Sequence, residues 1–220
     1  MKTFEERQRE LFKSHLKTNI AAFSTTSDAV MTILSTKKLV GRLDAQQITQ
    51  SIAIARQPAW ATISINLHNQ LAQLVKETAA HVGTQLAVII PIELKSNIDQ
   101  PILGMTLPQW LNSAETLERA RVLKAMRSGF GLNATPLSAF MDHSPFSLSN
   151  SSISAVTVTS ATAVMNRVAL DIFRLAGIKR YKLETSGDVR DPKAYGREYG
   201  VDEQPFAPMF IGDRSYPVAA

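Results

Sequence analysis

The stretch 156–191 joins a helix, a glycine stop and a strand, and it constrains the fold more than any other part of the chain. Five apolar residues recur at spacings of four, three, four and three, which places them on one face of a helix. They are Ala161, Met165, Val168, Ile172 and Leu175. Gly177 follows where a left-handed C-cap belongs. From Tyr181 to Thr185 apolar and charged residues alternate, which predicts a strand with one solvated face. We therefore predict a helix from about Val156 to the glycine, then a short strand and a polar turn at residues 186–188.

Helical periodicity also runs through most of the first 140 residues. It predicts helices over about 3–23, 27–39, 44–57, 58–83, 106–128 and 135–141. Pro58 separates the third and fourth of these, because proline lacks the N–H that a helix interior needs. Residues 86–94 are predicted as a buried extended segment and residues 143–154 as a Ser-rich loop. The predicted fold class is α+β and mainly α-helical, with long helices, a small C-terminal β element and an extended C-terminal arm.

Three regions follow from this pattern. Residues 1–103 form a helical N-terminal region, as a separate subdomain or as a stalk, and residues 104–199 form an α+β domain. Residues 200–220 form the arm, in which prolines and glycines interrupt any periodicity. Its aromatic residues Phe206, Phe210 and Tyr216 are candidate partner contacts, since an aromatic arm without its own core packs against another surface. That surface is either the rest of this chain or another subunit.

Composition restricts the classes of function. The chain has 220 residues and no Cys, which excludes a disulfide scaffold and any thiolate site. The first 13 residues are charged and lack the apolar core of a secretory signal. The longest apolar run, residues 86–94, is too short to cross a bilayer as a helix, so we expect no membrane partner. The formal charge of +5 is compatible with a polyanionic neighbour.

Motifs that carry catalysis are missing from the sequence. The four histidines stand apart at positions 15, 68, 81 and 143, and G-x-S-x-G, H-E-x-x-H and P-loop patterns do not occur. We therefore predict no enzyme activity, no metal and no cofactor, although a catalytic site assembled only in three dimensions stays open. A DNA-binding regulator is also disfavoured, because Pro136–His143 is too short and too neutral for a recognition helix.

The order of motifs from Gly104 to about Pro208 resembles one family. Residues 104–111 (GMTLPQWL) are similar to the G-x-(T/P)-L-x-x-W opening of phage Mu F-like minor head proteins, also called phage head morphogenesis proteins. The basic helix 119–126 and the following glycines are similar to their I-x-x-G-x-x-x-G segment. Further similar segments follow in the same order. They are residues 135–140, 160–167, 176–182, 186–190 and 196–208.

This chain departs from the family pattern in two places. Members often continue after the Pro-rich turn with His and a Cys-Arg pair, where this chain has Met209-Phe210-Ile211 and no Cys. A metal or thiol role at that end is therefore not carried over. Ser160-Ala161-Thr162 replaces the usual Arg-Thr-Glu of the long helix, which removes a charge pair. Asp188 and Arg190 match the family's D-x-R pattern and are a candidate structural turn, in which the aspartate binds local backbone N–H groups.

The resemblance implies a structural protein of the virion. Such a minor head protein lies near the portal, contacts the portal or the major capsid protein in multiple copies, and acts in head morphogenesis and in DNA packaging or ejection. Lys179, Arg180 and Lys182 on or beside the predicted strand are the candidate DNA-facing residues. The alternative is a head-to-tail connector, neck or tail-completion protein that forms a ring and adds its C-terminal arm to a neighbour.

Overall fold

The computed structural model describes residues 4–89, 98, 100–130, 134–142, 145–185, 194–203, 208 and 213–220. Within these ranges the helices are α1 (Phe4–Ser24), α2 (Ser27–Thr36), α3 (Arg42–Leu86), α4 (Leu107–Ser128), α5 (Pro136–Asp142) and α6 (Pro145–Leu175). The strands are β1 (Arg180–Thr185), β2 (Glu198–Gly200) and β3 (Ser215–Ala219). The predicted fold class is confirmed: the chain is mostly helical, with a small antiparallel sheet near its C-terminus.

The sheet has the strand order β2-β1-β3, with β1 in the centre. Tyr181 pairs with Tyr199 of β2, and Leu183 pairs with Pro217 of β3. Tyr181 and Leu183 are buried while Arg180 and Glu184 are exposed, as the alternating sequence predicts. Pro217 lies in an edge strand, the position in a sheet that tolerates a residue without an N–H.

The predicted break at Pro58 is wrong, because α3 continues through it from Arg42 to Leu86. Proline removes the hydrogen bond to the carbonyl of Ile54. Both residues are exposed, so water can solvate that carbonyl. The buried face of the helix is unaffected, and Ile52 and Trp60 are buried on either side of the proline. Burial of this face outweighs the lost bond.

The predicted start of the long C-terminal helix is also wrong. α6 begins at Pro145 instead of about Val156, so residues 145–154 are helical where the Ser-rich composition predicts a loop. The predicted glycine stop is confirmed. Gly177 has φ +73°, the Ile178 N–H donates to Phe173 O at 2.9 Å, and the Gly177 N–H donates to Arg174 O at 3.1 Å. These are the two hydrogen bonds of a Schellman motif.

Contacts divide the chain into two compact units. The first unit comprises Met1–Leu16, Leu67–Leu107 and Ala155–Ala220, and the second unit comprises Lys17–Asn66 and Pro108–Ser154. This division differs from the three ranges predicted from sequence, since each unit is assembled from segments that are distant along the chain.

Each unit has its own hydrophobic core. In the first unit, apolar residues of α1, α3 and α6 pack with Tyr181 and Leu183 of β1. In the second unit, residues of α2, α3 and α4 pack with Phe140 of α5. Gly129 follows α4 where a Cβ would lie 2.9 Å from that of Ala139, so the packing there requires a glycine.

The segment Ser152–Leu175 of α6 is long and apolar enough to cross a membrane by length and composition. In this structure 83% of it is buried inside the protein, the environment of a core helix. Its buried residues include Thr157, Thr162 and Asn166, whose polar groups need partners within the fold.

Candidate functional site

Two of the three predicted DNA-facing residues lie beside one carboxylate. Arg180 Nε is 3.1 Å from Glu198 Oε2, and Lys182 Nζ is 3.5 Å from Glu198 Oε1. The register of the sheet causes this, because Lys182 of β1 pairs directly with Glu198 of β2. Lys179 precedes β1 and is exposed. The structure therefore brings the three cations to one strand but places a negative charge among them.

Four other predicted site residues lie outside the described residues. They are Asp188, Arg190, Phe206 and Phe210. Neither the proposed structural turn nor the first part of the partner-contact arm is therefore tested by the structure.

Tyr216, the third aromatic residue of the predicted arm, contacts this chain itself. It is buried in β3, it pairs with Glu184 of β1, and its hydroxyl donates to Glu184 Oε2 at 3.1 Å. Its assignment as a contact to another subunit is thus corrected. Of the two surfaces left open by the sequence, residues 215–219 pack on their own chain.

Buried hydrogen bonds join β3 and the residues before it to α6. Thr162 Oγ1 donates to Asp213 O at 2.7 Å. Asn166 Nδ2 donates to Ser215 O at 2.8 Å and to Thr162 O at 2.7 Å. The Asp213 carboxylate accepts from the backbone N–H and the hydroxyl of Ser215, and Tyr195 Oη lies 2.8 Å from Ser215 Oγ. Sequence reasoning missed this network, although three polar residues on an otherwise apolar helix are its signal.

The serine in this network is not placed for nucleophilic catalysis. Ser215 and Asp213 are both buried, so a substrate has no access to the hydroxyl. Asp213 accepts two hydrogen bonds from Ser215, and this fixes the backbone at the start of β3. The arrangement positions a strand and does not resemble a reaction centre.

A buried ion pair forms the polar centre of the second unit. Arg56 of α3 pairs with Glu118 of α4, and both side chains are almost completely buried. Trp60 Nε1 donates to Glu118 Oε2 at 3.0 Å, and the Arg56 guanidinium lies 5.0 Å from the centre of the Phe23 ring and 5.8 Å from that of Phe140. Desolvation lowers the pKa of Arg56 to about 10, which still leaves it protonated at neutral pH.

The cavity beside this ion pair is too small for a substrate. Its volume is about 10 Å³, and its lining includes Thr49, Arg56 and Glu118. That volume holds one water molecule at most. The cluster therefore joins α3 to α4 and has no room for chemistry on a ligand.

Metal-ligating groups do not converge in the described part of the chain. Within it, no group of three or more His, Asp or Glu side chains could hold a metal ion. His15 is buried in the first unit, where burial lowers its pKa and Glu77 raises it by a smaller amount.

A surface groove lies in the second unit between the end of α2, the first turns of α3 and the exposed face of α4. Its volume is about 560 Å³. The lining residues are polar or cationic: Lys37, Gln46, Gln47, Gln50, Ser51 and Arg119. The sequence shows the Lys and Arg residues of this groove, but not that segments about 80 residues apart lie on the same groove.

Comparisons of the chain with protein-family models, with curated proteins and with solved structures gave no match.

Proposed function

We propose that this chain is a structural virion protein, a minor head protein that acts near the portal in phage head morphogenesis and in DNA packaging or ejection. The observation that carries the proposal is the order of motifs over residues 104–208. Its partners are the portal or major capsid protein, its location is the virion, and it works by contacts without catalysis.

Several motif residues occupy positions where the fold needs them. Gly104 has φ +81° in a turn closed by two backbone hydrogen bonds between Ile102 and Met105, of 2.7 and 3.1 Å. Trp110, six residues later, is buried on α4. Gly177 provides the left-handed residue that ends α6, and Tyr181 is buried at the centre of the sheet. The resemblance therefore includes residues with structural roles, which supports common descent over chance similarity.

The side-chain clusters also favour a role in contacts. The polar clusters around Ser215 and Arg56 are buried and join elements of the fold. Neither leaves room for a substrate. In a protein whose polar groups are used in this way, function is expected on the surface.

The connector alternative receives less support. It requires the C-terminal arm to add to a neighbouring subunit, but β3 already pairs with β1 of the same chain over five residue pairs. A donated strand would first have to break this pairing and the buried bonds to α6.

The test is affinity purification of the tagged chain from a lysate of its own phage-producing source, followed by mass spectrometry. We expect a portal-sized ring subunit to co-purify. Phe206→Ala/Phe210→Ala should reduce its recovery at least fivefold. The matched control Ile54→Ala/Ile65→Ala removes two exposed apolar side chains of α3 and should leave recovery unchanged.

Two outcomes would contradict the proposal. One is recovery of the chain alone or with metabolic enzymes only, from a lysate in which assembled heads are present. The other is a stable closed ring of the isolated chain in native mass spectrometry, which would favour the connector.

A further inference from the structure

We infer that the groove of the second unit binds the phosphodiester backbone of double-stranded DNA. The groove is lined by Lys37, Gln46, Gln47, Gln50, Ser51 and Arg119. This inference relocates the DNA contact from β1, and its choice of DNA among polyanions rests on the proposed function.

The first argument is charge. The lining carries two cations, Lys37 and Arg119, and no carboxylate. Lys38 and Arg42 are exposed next to Lys37 in the sequence and extend the positive charge beyond the groove. The nearest acidic residue in that segment, Asp44, accepts hydrogen bonds from the backbone N–H groups of Val40 and Gly41 at 3.0 and 2.8 Å. Its carboxylate is therefore directed at the loop backbone.

The second argument is hydrogen-bond polarity. The Arg119 guanidinium donates to Gln50 Oε1, so the acceptor of this amide is already used. The remaining polar atoms of that pair are N–H donors, from the amide of Gln50 and the guanidinium of Arg119. A surface with two cations and several amide donors matches phosphate oxygens, and Arg, Lys, Ser and Gln are the side chains that contact DNA backbones.

The third argument is the contrast with β1. There, Arg180 and Lys182 share Glu198, so one carboxylate offsets much of their charge. In the groove, Arg119 contacts a neutral amide and keeps its full positive charge for a ligand.

An anionic membrane surface fits the groove less well. Val40 and Leu43 are exposed nearby, at 82% and 73%, but neither lines the groove. Its lining is polar throughout, whereas a surface that binds lipid needs apolar residues that enter the bilayer.

The experiment is a fluorescence anisotropy titration of the purified full chain with a 30-base-pair duplex of arbitrary sequence at several salt concentrations. Lys37→Glu/Arg119→Glu should weaken binding at least tenfold at low salt. It should also reduce the slope of log affinity against log salt by about two, because about 0.9 counterions are released per phosphate contact. The matched control, Arg180→Glu/Lys182→Glu, changes the net charge equally and should leave the slope unchanged.

Folding is controlled by circular dichroism and by the neutral variant Lys37→Gln/Arg119→Gln. Lys37 and Arg119 are exposed, so both variants should fold. Equal losses in the two charge-reversal variants would overturn the inference, because net charge alone would then explain binding. Binding of poly-glutamate or of vesicles with anionic phospholipid as tight as that of the duplex, and lost in the same groove variant, would overturn DNA as the ligand. The titration uses the isolated chain, so its result is independent of whether a portal subunit co-purifies.

Discussion

At the scale of single residues, the buried pair of Arg56 and Glu118 carries the highest energetic risk in the second unit. Each charge has lost its hydration, and each depends on the other and on Trp60 to compensate. Aromatic rings on either side of Arg56 supply further compensation, through the negative faces of Phe23 and Phe140.

Removal of one partner should therefore be much worse than removal of both. We expect Glu118→Ala to destabilise the chain by about 3–5 kcal/mol, because it leaves the guanidinium charged and buried. The double variant Arg56→Leu/Glu118→Leu should be less destabilised than the single variant. Denaturant unfolding followed by circular dichroism measures both, and a double variant that is the less stable of the two would refute this account.

This pair could not be predicted from the sequence. Trp60 and Glu118 are 58 residues apart, and no local pattern connects them. In sequence, Glu118 is one of several charged residues on an amphipathic helix, where exposure is the usual expectation. Only the packing of α4 against α3 shows that it faces inward.

At the scale of elements, β3 depends on α6 as well as on β1. The Thr162 hydroxyl and the Asn166 amide reach backbone carbonyls at the start of the strand, at 2.7 and 2.8 Å. These contacts place a short edge strand that has little apolar surface of its own.

Thr162→Val keeps the shape of the side chain but removes its hydroxyl. The buried Asp213 carbonyl would then lose its partner, which should cost about 1–3 kcal/mol. We also expect faster amide hydrogen exchange at Ser215–Ala219. The control Thr84→Val removes an exposed hydroxyl that bonds to Ala80 O at 2.7 Å, and it should change stability by less than about 0.5 kcal/mol. Unchanged exchange in the strand would mean that this hydrogen bond does not hold it.

Sequence pattern predicted the elements whose signals are local. The extents of α1, α4 and α5 and the stop at Gly177 follow from periodicity and capping, and they agree with the structure. The patterns misled at Pro58 and at residues 145–154, where burial and continuation of a helix outweighed local propensity. They also left β3 within an arm, because a five-residue strand containing Pro217 is recognised only through its partner.

At the scale of the whole molecule, stability should depend on pH through His15. Burial lowers the pKa of His15 below its ordinary value of 6.5, and the opposing effect of Glu77 is smaller. The unfolded chain therefore binds a proton at pH values where the folded chain keeps the imidazole neutral. This contribution to stability is complete above the ordinary value and is lost as the pH falls below it.

Urea unfolding between pH 7.5 and 5 tests this expectation. His15→Gln should show a weaker loss of stability on acidification than the unsubstituted chain. The control His68→Gln exchanges an exposed histidine of α3 and should keep the full loss, because His15 is still present. Identical pH profiles for all three proteins would exclude His15 as the cause.

The assembly of the two units from interleaved segments also sorts the chain's natural chromophores. Both tryptophans, Trp60 and Trp110, belong to the second unit, and all four tyrosines, at positions 181, 195, 199 and 216, belong to the first. Emission excited at the red edge of the absorption band thus reports one half of the protein, and ultraviolet difference spectra of the phenols report the other. An unlabelled sample can consequently reveal whether the halves melt together or in succession.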